Sequence, residues 1–182
     1  MSWETGLDTT LDHVWETLRR GVAESQHPAR QPTFGTIGHD GPQLRTVVLR
    51  GARRAVAELE VHTDKATTKV SEIAIDPRVS FHIWAPAQDL QLRLMGRARL
   101  IHCDATRWAA IPPDAQIVYG GTPTPATPIA QPQDHTPGAT LERFTAIVVT
   151  LTRIETVHLG TTQHRRAEFV ASDQWAGQWL AP

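Results

Sequence analysis

The chain has one cysteine among 182 residues. No internal disulfide can staple it, and a reducing compartment suits it. That cysteine, Cys103, ends the strand-like run Ile101-His102-Cys103-Asp104. It reads as a buried structural thiol and not as a nucleophile. No stretch approaches the roughly 18 consecutive apolar residues of a membrane span. The opening Met1-Ser2-Trp3-Glu4-Thr5 lacks the cationic region and apolar run of a secretory leader, so a cytoplasmic protein is expected. Neither sign of charge dominates: 18 Lys and Arg stand against 19 Asp and Glu, for a net −1. No overall field draws in nucleic acid or an anionic membrane, and neither is expected as a partner. His13, His27, His39, His62, His82, His102, His135, His158 and His164 are scattered without metal-ligand spacing, so no metal is expected.

What is present is ordinary for a globular protein: 40% apolar and 20% charged residues. One domain over residues 1–182 is expected, with enough chain for a core. Leu7, Leu11, Val14, Trp15, Leu18 and Val22 recur at helical spacing and predict a helix over about 8–24. Strands are expected over 33–38, 44–50 and 56–63, with Gly51-Ala52-Arg53-Arg54 as a turn inside a three-strand meander. A helix over 66–75 stops at Asp76-Pro77. Strands over 79–84 and 91–101 follow, then a helix over 104–111 capped by Asp104. From Pro112 to Gly138 seven prolines and a Gly120-Gly121 pair predict a long loop, functional or disordered. Residues 144–159 read as one long bent strand and 165–170 as the last. Six or seven strands with few helices predict a mainly β fold, a barrel or a sandwich.

Three segments carry chemistry. Arg45-Thr46-Val47-Val48-Leu49-Arg50 places a cation at each end of an apolar strand. Arg45 closes an apolar row, where a cation needs an anion or a route to solvent. Thr63, Thr67, Thr68 and Lys69 lie where a strand passes into a helix. Helix-terminal amides, hydroxyls and an ammonium together suit a phosphate. Taken alone, capping by Asp64 or Thr67 with an exposed lysine explains them as well. Gln91 opens an alternating strand, and its amide can pair with the edge of a flat polar ring. Late in the chain, His164-Arg165-Arg166 follows a turn. His164 is a candidate proton donor, and a basic surface turn is the competing account.

Their order resembles the pyridoxamine 5'-phosphate oxidase-like split barrel, a family that binds flavin mononucleotide (FMN). Arg45 to Arg50 is similar to the family's Arg-x-Val-Leu-Leu-Lys strand, with Arg50 for lysine. His62-Thr63 resembles its Tyr-Thr pair, and Thr67-Thr68-Lys69 its Ser-Arg-Lys phosphate loop. Gln91, Arg93 and Gly96 match its Gln-x-Arg-x-x-Gly strand, and Trp179 to Pro182 its closing Trp-Leu-Ala-Pro. The resemblance implies a six- to seven-stranded antiparallel FMN-binding split barrel with flanking helices. It also implies a homodimer with FMN at the interface. As cofactor-binding residues it implies Arg45, Thr46, Val47, Val48, Arg50, His62, Thr63, Thr68, Lys69, Gln91, His158 (in place of a ring-side tryptophan) and Arg166. Arg50 and His164 become the catalytic candidates of an FMN-dependent oxidoreductase acting on a small molecule. The family's substrate-phosphate arginine is missing from Ala115-Gln116-Ile117-Val118-Tyr119, so a substrate other than pyridoxamine phosphate is expected. A non-enzymatic flavin- or haem-binding protein and a deazaflavin-dependent reductase are the alternatives on the same fold.

Overall fold

The computed structural model describes residues 2–182. A helix, α1 (Leu7–Ala23), buries Val14, Trp15 and Leu18 from its apolar stripe. Then come β1 (Thr33–Gly38), β2 (Gly41–Thr46), β3 (Leu49–Arg53) and β4 (Glu58–Asp64), followed by α2 (Thr68–Ile75). Strand β5 (Arg78–Ala85) alternates strictly: Val79, Phe81, Ile83 and Ala85 are buried, while Arg78, Ser80, His82 and Trp84 are exposed. That period of two is what a sheet with one wet face requires. Strand β6 (Leu90–His102) continues the pattern and leads to α3 (Ala105–Ala109), where Asp104 caps by accepting from the Arg107 amide. Next are α4 (Pro113–Gln116), β7 (Val118–Tyr119) and β8 (Gly138–Ala139). The chain closes with β9 (Phe144–Leu159), β10 (His164–Val170) and β11 (Gly177–Leu180).

The fold is mainly β: an antiparallel sheet with flanking helices, like a split barrel. The path runs β11-β10-β9-β6-β5-β1-β2, and β4 joins it by pairing with β9 and with β3. Strand β9 is the spine. Its first half lies between β4 and β6 and its second half between β6 and β10. Strands β2 and β3 do not pair. The sheet is therefore open between them, at Val47-Val48. Inside it, Phe34, Leu49, Leu59, Phe81, Leu92, Leu94, Ile147, Leu151 and Phe169 form the core.

Several expectations need correction. Residues 44–50 are not one strand. The Val47 amide bonds the Pro32 carbonyl, so the chain steps from β2 to β3 and puts Arg45 and Arg50 on different strands. No three-strand meander forms. Gly51 to Arg53 belong to β3, and the turn falls at 54–57, where Ala57 takes φ 50°. The main sheet has nine strands, more than the six or seven expected, because the 44–50 run splits and the Trp-rich tail pairs as β11. Cys103 is exposed, since it sits past the end of β6 in a left-handed turn at φ 55°.

Gly96 shows why this position takes no side chain. The register slips there between Met95 and Gly96, and a Cβ would stand 2.4 Å from the Thr150 carbonyl oxygen. The obstacle is backbone and cannot swing away. Gly96→Ala is expected to cost about 1–3 kcal/mol, as overpacking does. A denaturant melt checks this, and an unchanged midpoint would contradict it.

Candidate functional site

The opening between β2 and β3 is a cavity of about 430 Å³. Thr46, Val47, Val48 and Arg50 line one side. Val61, His62, Thr63, Asp64, Thr67 and Lys69 line the floor. Strand β3 leaves β4 after the Leu49–Val61 pair, so the β4 edge beyond it faces the cavity. Seven of the residues expected to bind the cofactor are thus brought together: Thr46, Val47, Val48, Arg50, His62, Thr63 and Lys69.

The polar end is built from one short linkage. Lys69 Nζ donates to Thr63 Oγ1 at 3.0 Å, and the Thr63 and Thr67 hydroxyls are 3.1 Å apart. Thr67 also donates to the Asp64 carbonyl at 2.8 Å. Among the described residues no carboxylate comes within 4.0 Å of Nζ. Burial, and next the nearby Arg45 charge, push the Lys69 ammonium below its usual range, against the pull of Glu72 and Asp64. A partly buried ammonium without a carboxylate, beside two hydroxyls, suits a phosphate. His62 Nε2 and Glu60 Oε1 are 3.0 Å apart, and the ring meets Phe144 edge-on at 4.9 Å. Burial alone would raise Glu60, but bonds from His62, Arg107 and Arg53 outweigh it and hold the carboxyl down to about 2. His62 Nδ1 is buried with no hydrogen-bond partner among the described residues.

The Pro-rich loop supplies the roof: Ala115, Val118, Tyr119 and Pro125 face the same cavity. Asp64 pins it, accepting from the Gly120 amide at 2.9 Å and from Arg143 at 2.8 Å. Strands β7 and β8 pair in parallel, and Tyr119 packs with Ile111, Phe144 and Ala146 in a second small core. Burial raises the Tyr119 phenol, while the Arg50 guanidinium beside it acts in the opposite sense. Thr67 joins the cavity as the Thr67-Thr68-Lys69 resemblance implies, whereas Asp64 and Tyr119 are not expected there from sequence. Asp64 reads in the sequence as a helix cap, and nothing local in a Pro-rich run marks Tyr119 as folded back. Replacing residues 122–137 by a short flexible linker is expected to keep the fold while loosening the roof. A linker is needed because parallel β7 and β8 require a crossover. A thermal melt followed by circular dichroism checks this, and loss of soluble protein would contradict it.

Other expected residues lie elsewhere. Arg45 bonds Glu72 at 3.0 Å and also Thr36, and does not line the cavity. Thr68 is exposed in the first turn of α2. Gln91 and Arg166 share a row across the sheet, because both pair with Val157. His158 is one residue on and pairs with Leu90 and Arg165, so it faces the other way. There it meets Trp3 edge-on at 5.2 Å. Val157 thus holds the place in the Gln91 row. His164 is exposed, in a separate cavity of about 390 Å³ with Arg166 and Trp179, apart from Arg50. The two groups are far apart. Thr63 pairs with Thr145 and Gln91 with Val157, so twelve residues of β9, up to about 40 Å of strand, separate them.

The family model for the pyridoxamine 5'-phosphate oxidase FMN-binding domain matches residues 12–102. The chain belongs to that family. Among solved structures it is similar to a pyridoxamine 5'-phosphate oxidase-related, FMN-binding protein from Nostoc punctiforme PCC 73102. That match has a TM-score of 0.77 at 20% identity and covers 94% of this chain and 96% of the other. It is also similar to PhzG from Burkholderia lata 383, in complex with tetrahydrophenazine-1-carboxylic acid: TM-score 0.73, 15% identity, 96% and 92% covered. A general stress protein 26-related protein from Clostridium acetobutylicum gives 0.59 at 14%, covering 89% and 97%. At these identities the likenesses speak for the fold. By sequence, no curated protein matches the chain. No helix among the described residues is long and apolar enough to cross a membrane.

Proposed function

We propose that the protein is a cytoplasmic, homodimeric, FMN-dependent oxidoreductase acting on a small molecule without a phosphate. The observation that carries the cofactor is the Lys69–Thr63–Thr67 linkage at the polar end of a cavity opened by the β2–β3 gap. Lys69 and the two hydroxyls hold the phosphate there, and Val47 and Val48 give the ring an apolar bed. Gln91 and Arg166 are too far along β9 to touch the same mononucleotide within one chain. They serve the partner's cofactor, and the partner's equivalents serve this one.

The bound flavin supplies hydride or electron acceptance. The chain's own part is to orient and exclude water. The loop roof of Ala115, Val118, Tyr119 and Pro125 shields the cavity, and Arg50 is the cation left on the substrate side. His164 reaches a substrate only across the interface, from the Arg166 end. The apolar roof, without the phosphate-gripping arginine of the true oxidases, supports a non-phosphorylated substrate.

The test is a visible spectrum of the purified protein after FMN is added and dialysed away. Retained flavin bands near 370 and 450 nm, about where the free cofactor absorbs, are the expected result. A colourless protein that ignores FMN would overturn the reading.

A further inference from the structure

Glu155 is buried between cations. It is 4% exposed, and its Oε1 lies 2.6 Å from Arg93 and 3.0 Å from Arg166. Arg93 stands directly across from it on β6, and Arg166 belongs to the next row with Val157 and Gln91. The neighbouring carboxylate Glu168 does not compete for these two, because it is bound by Arg153 at 3.0 Å and Gln178 at 2.9 Å. Two guanidiniums on one carboxylate leave a net positive charge in this corner of the sheet. Arg166 also has a donor to spare: its Nε–H is buried and has no partner among the described residues. A buried unpaired donor is costly, and a purely structural ion pair would have no reason to keep one.

We propose that Glu155 is a positioning residue for the cofactor. It fixes Arg93 and Arg166 beside Gln91, so that the row presents one net positive charge and an unused N–H to the carbonyl-bearing edge of a flavin held by the partner protomer. This rests on the two-protomer FMN reading above. Arg166 is the residue that meets the ring, and Glu155 acts through it.

Glu155→Gln separates positioning from simple charge. Removing a negative group near an anionic cofactor would, by electrostatics alone, tighten binding. Positioning predicts the opposite. FMN affinity of the Glu155→Gln dimer, read by flavin fluorescence titration, is expected to fall on the order of ten-fold, the scale of one charge-assisted hydrogen bond. Riboflavin, which lacks the phosphate, should lose the same factor because the row meets the ring. Arg93→Gln, at a half-exposed side chain, is the second variant and keeps the question open to test should the first fail to fold. It lets Glu155 neutralise Arg166 and is expected to weaken both ligands several-fold. Unchanged or tighter binding in these variants, with FMN retained by wild type, would overturn this inference alone. A wild-type protein that binds no FMN would overturn both it and the function proposed above.

Discussion

Lys69→Ala is expected to weaken FMN binding by about 1–3 kcal/mol, the cost of losing a charge-assisted phosphate contact. Lys69 is the cation at the polar end of the cavity, it lies 3.0 Å from the Thr63 hydroxyl, and among the described residues no carboxylate comes within 4.0 Å of its Nζ. Its burial already favours the neutral amine. A bound phosphate reverses that and favours the charged form. Binding therefore takes up a proton wherever free Lys69 has begun to lose its own. Wild-type affinity should fall as pH rises through the lowered Lys69 value, and Lys69→Ala should show no such step. Equilibrium titration with FMN across alkaline pH reads both effects. Equal affinity of the two proteins at neutral pH would remove the phosphate assignment.

Arg45→Ala is expected to act on stability, with a loss of roughly 3 kcal/mol, the scale of stranding one member of a buried ion pair. Glu72 is 8% exposed and rests on Arg45 at 3.0 Å and on the Thr36 hydroxyl at 2.5 Å. Without Arg45 the carboxylate keeps only Thr36. Adding Glu72→Gln removes the stranded charge and should recover most of the loss. Chemical denaturation of the single and double variants checks this. A single variant with wild-type stability and poor FMN retention would return Arg45 to the cofactor.

The contrast between these two cations shows what sequence made legible. The place of Lys69 beside Thr63 was readable because it follows a strand, a Thr cluster and a helix start, all local signals. Arg45 was equally prominent in its motif, yet its partner Glu72 comes from α2, 27 residues on, and no local pattern announces that pairing. The long strands β6 and β9 were legible because their alternation runs on for many residues. The 44–50 run misled because its break depends on a bond from Val47 to Pro32. The face taken by His158 was not legible, because in a strand one residue is the difference between the Gln91 row and the opposite face. The Pro-rich loop was legible as a loop but not as a roof. What folds it back is the buried Asp64 with Gly120 and Arg143, on the far side of the chain.

In the proposed dimer one flavin is held by Lys69 of one protomer and Arg166 of the other. The most direct measurement is FMN stoichiometry in a heterodimer of Lys69→Ala and Arg166→Ala chains, co-expressed with two different tags and purified through both. If the site spans the interface, one of the two sites regains both wild-type residues and the other loses both. One FMN per heterodimer is the predicted result. No FMN, with each homodimeric variant equally empty and wild type loaded, would mean that both residues serve a site within a single chain, and would contradict the account.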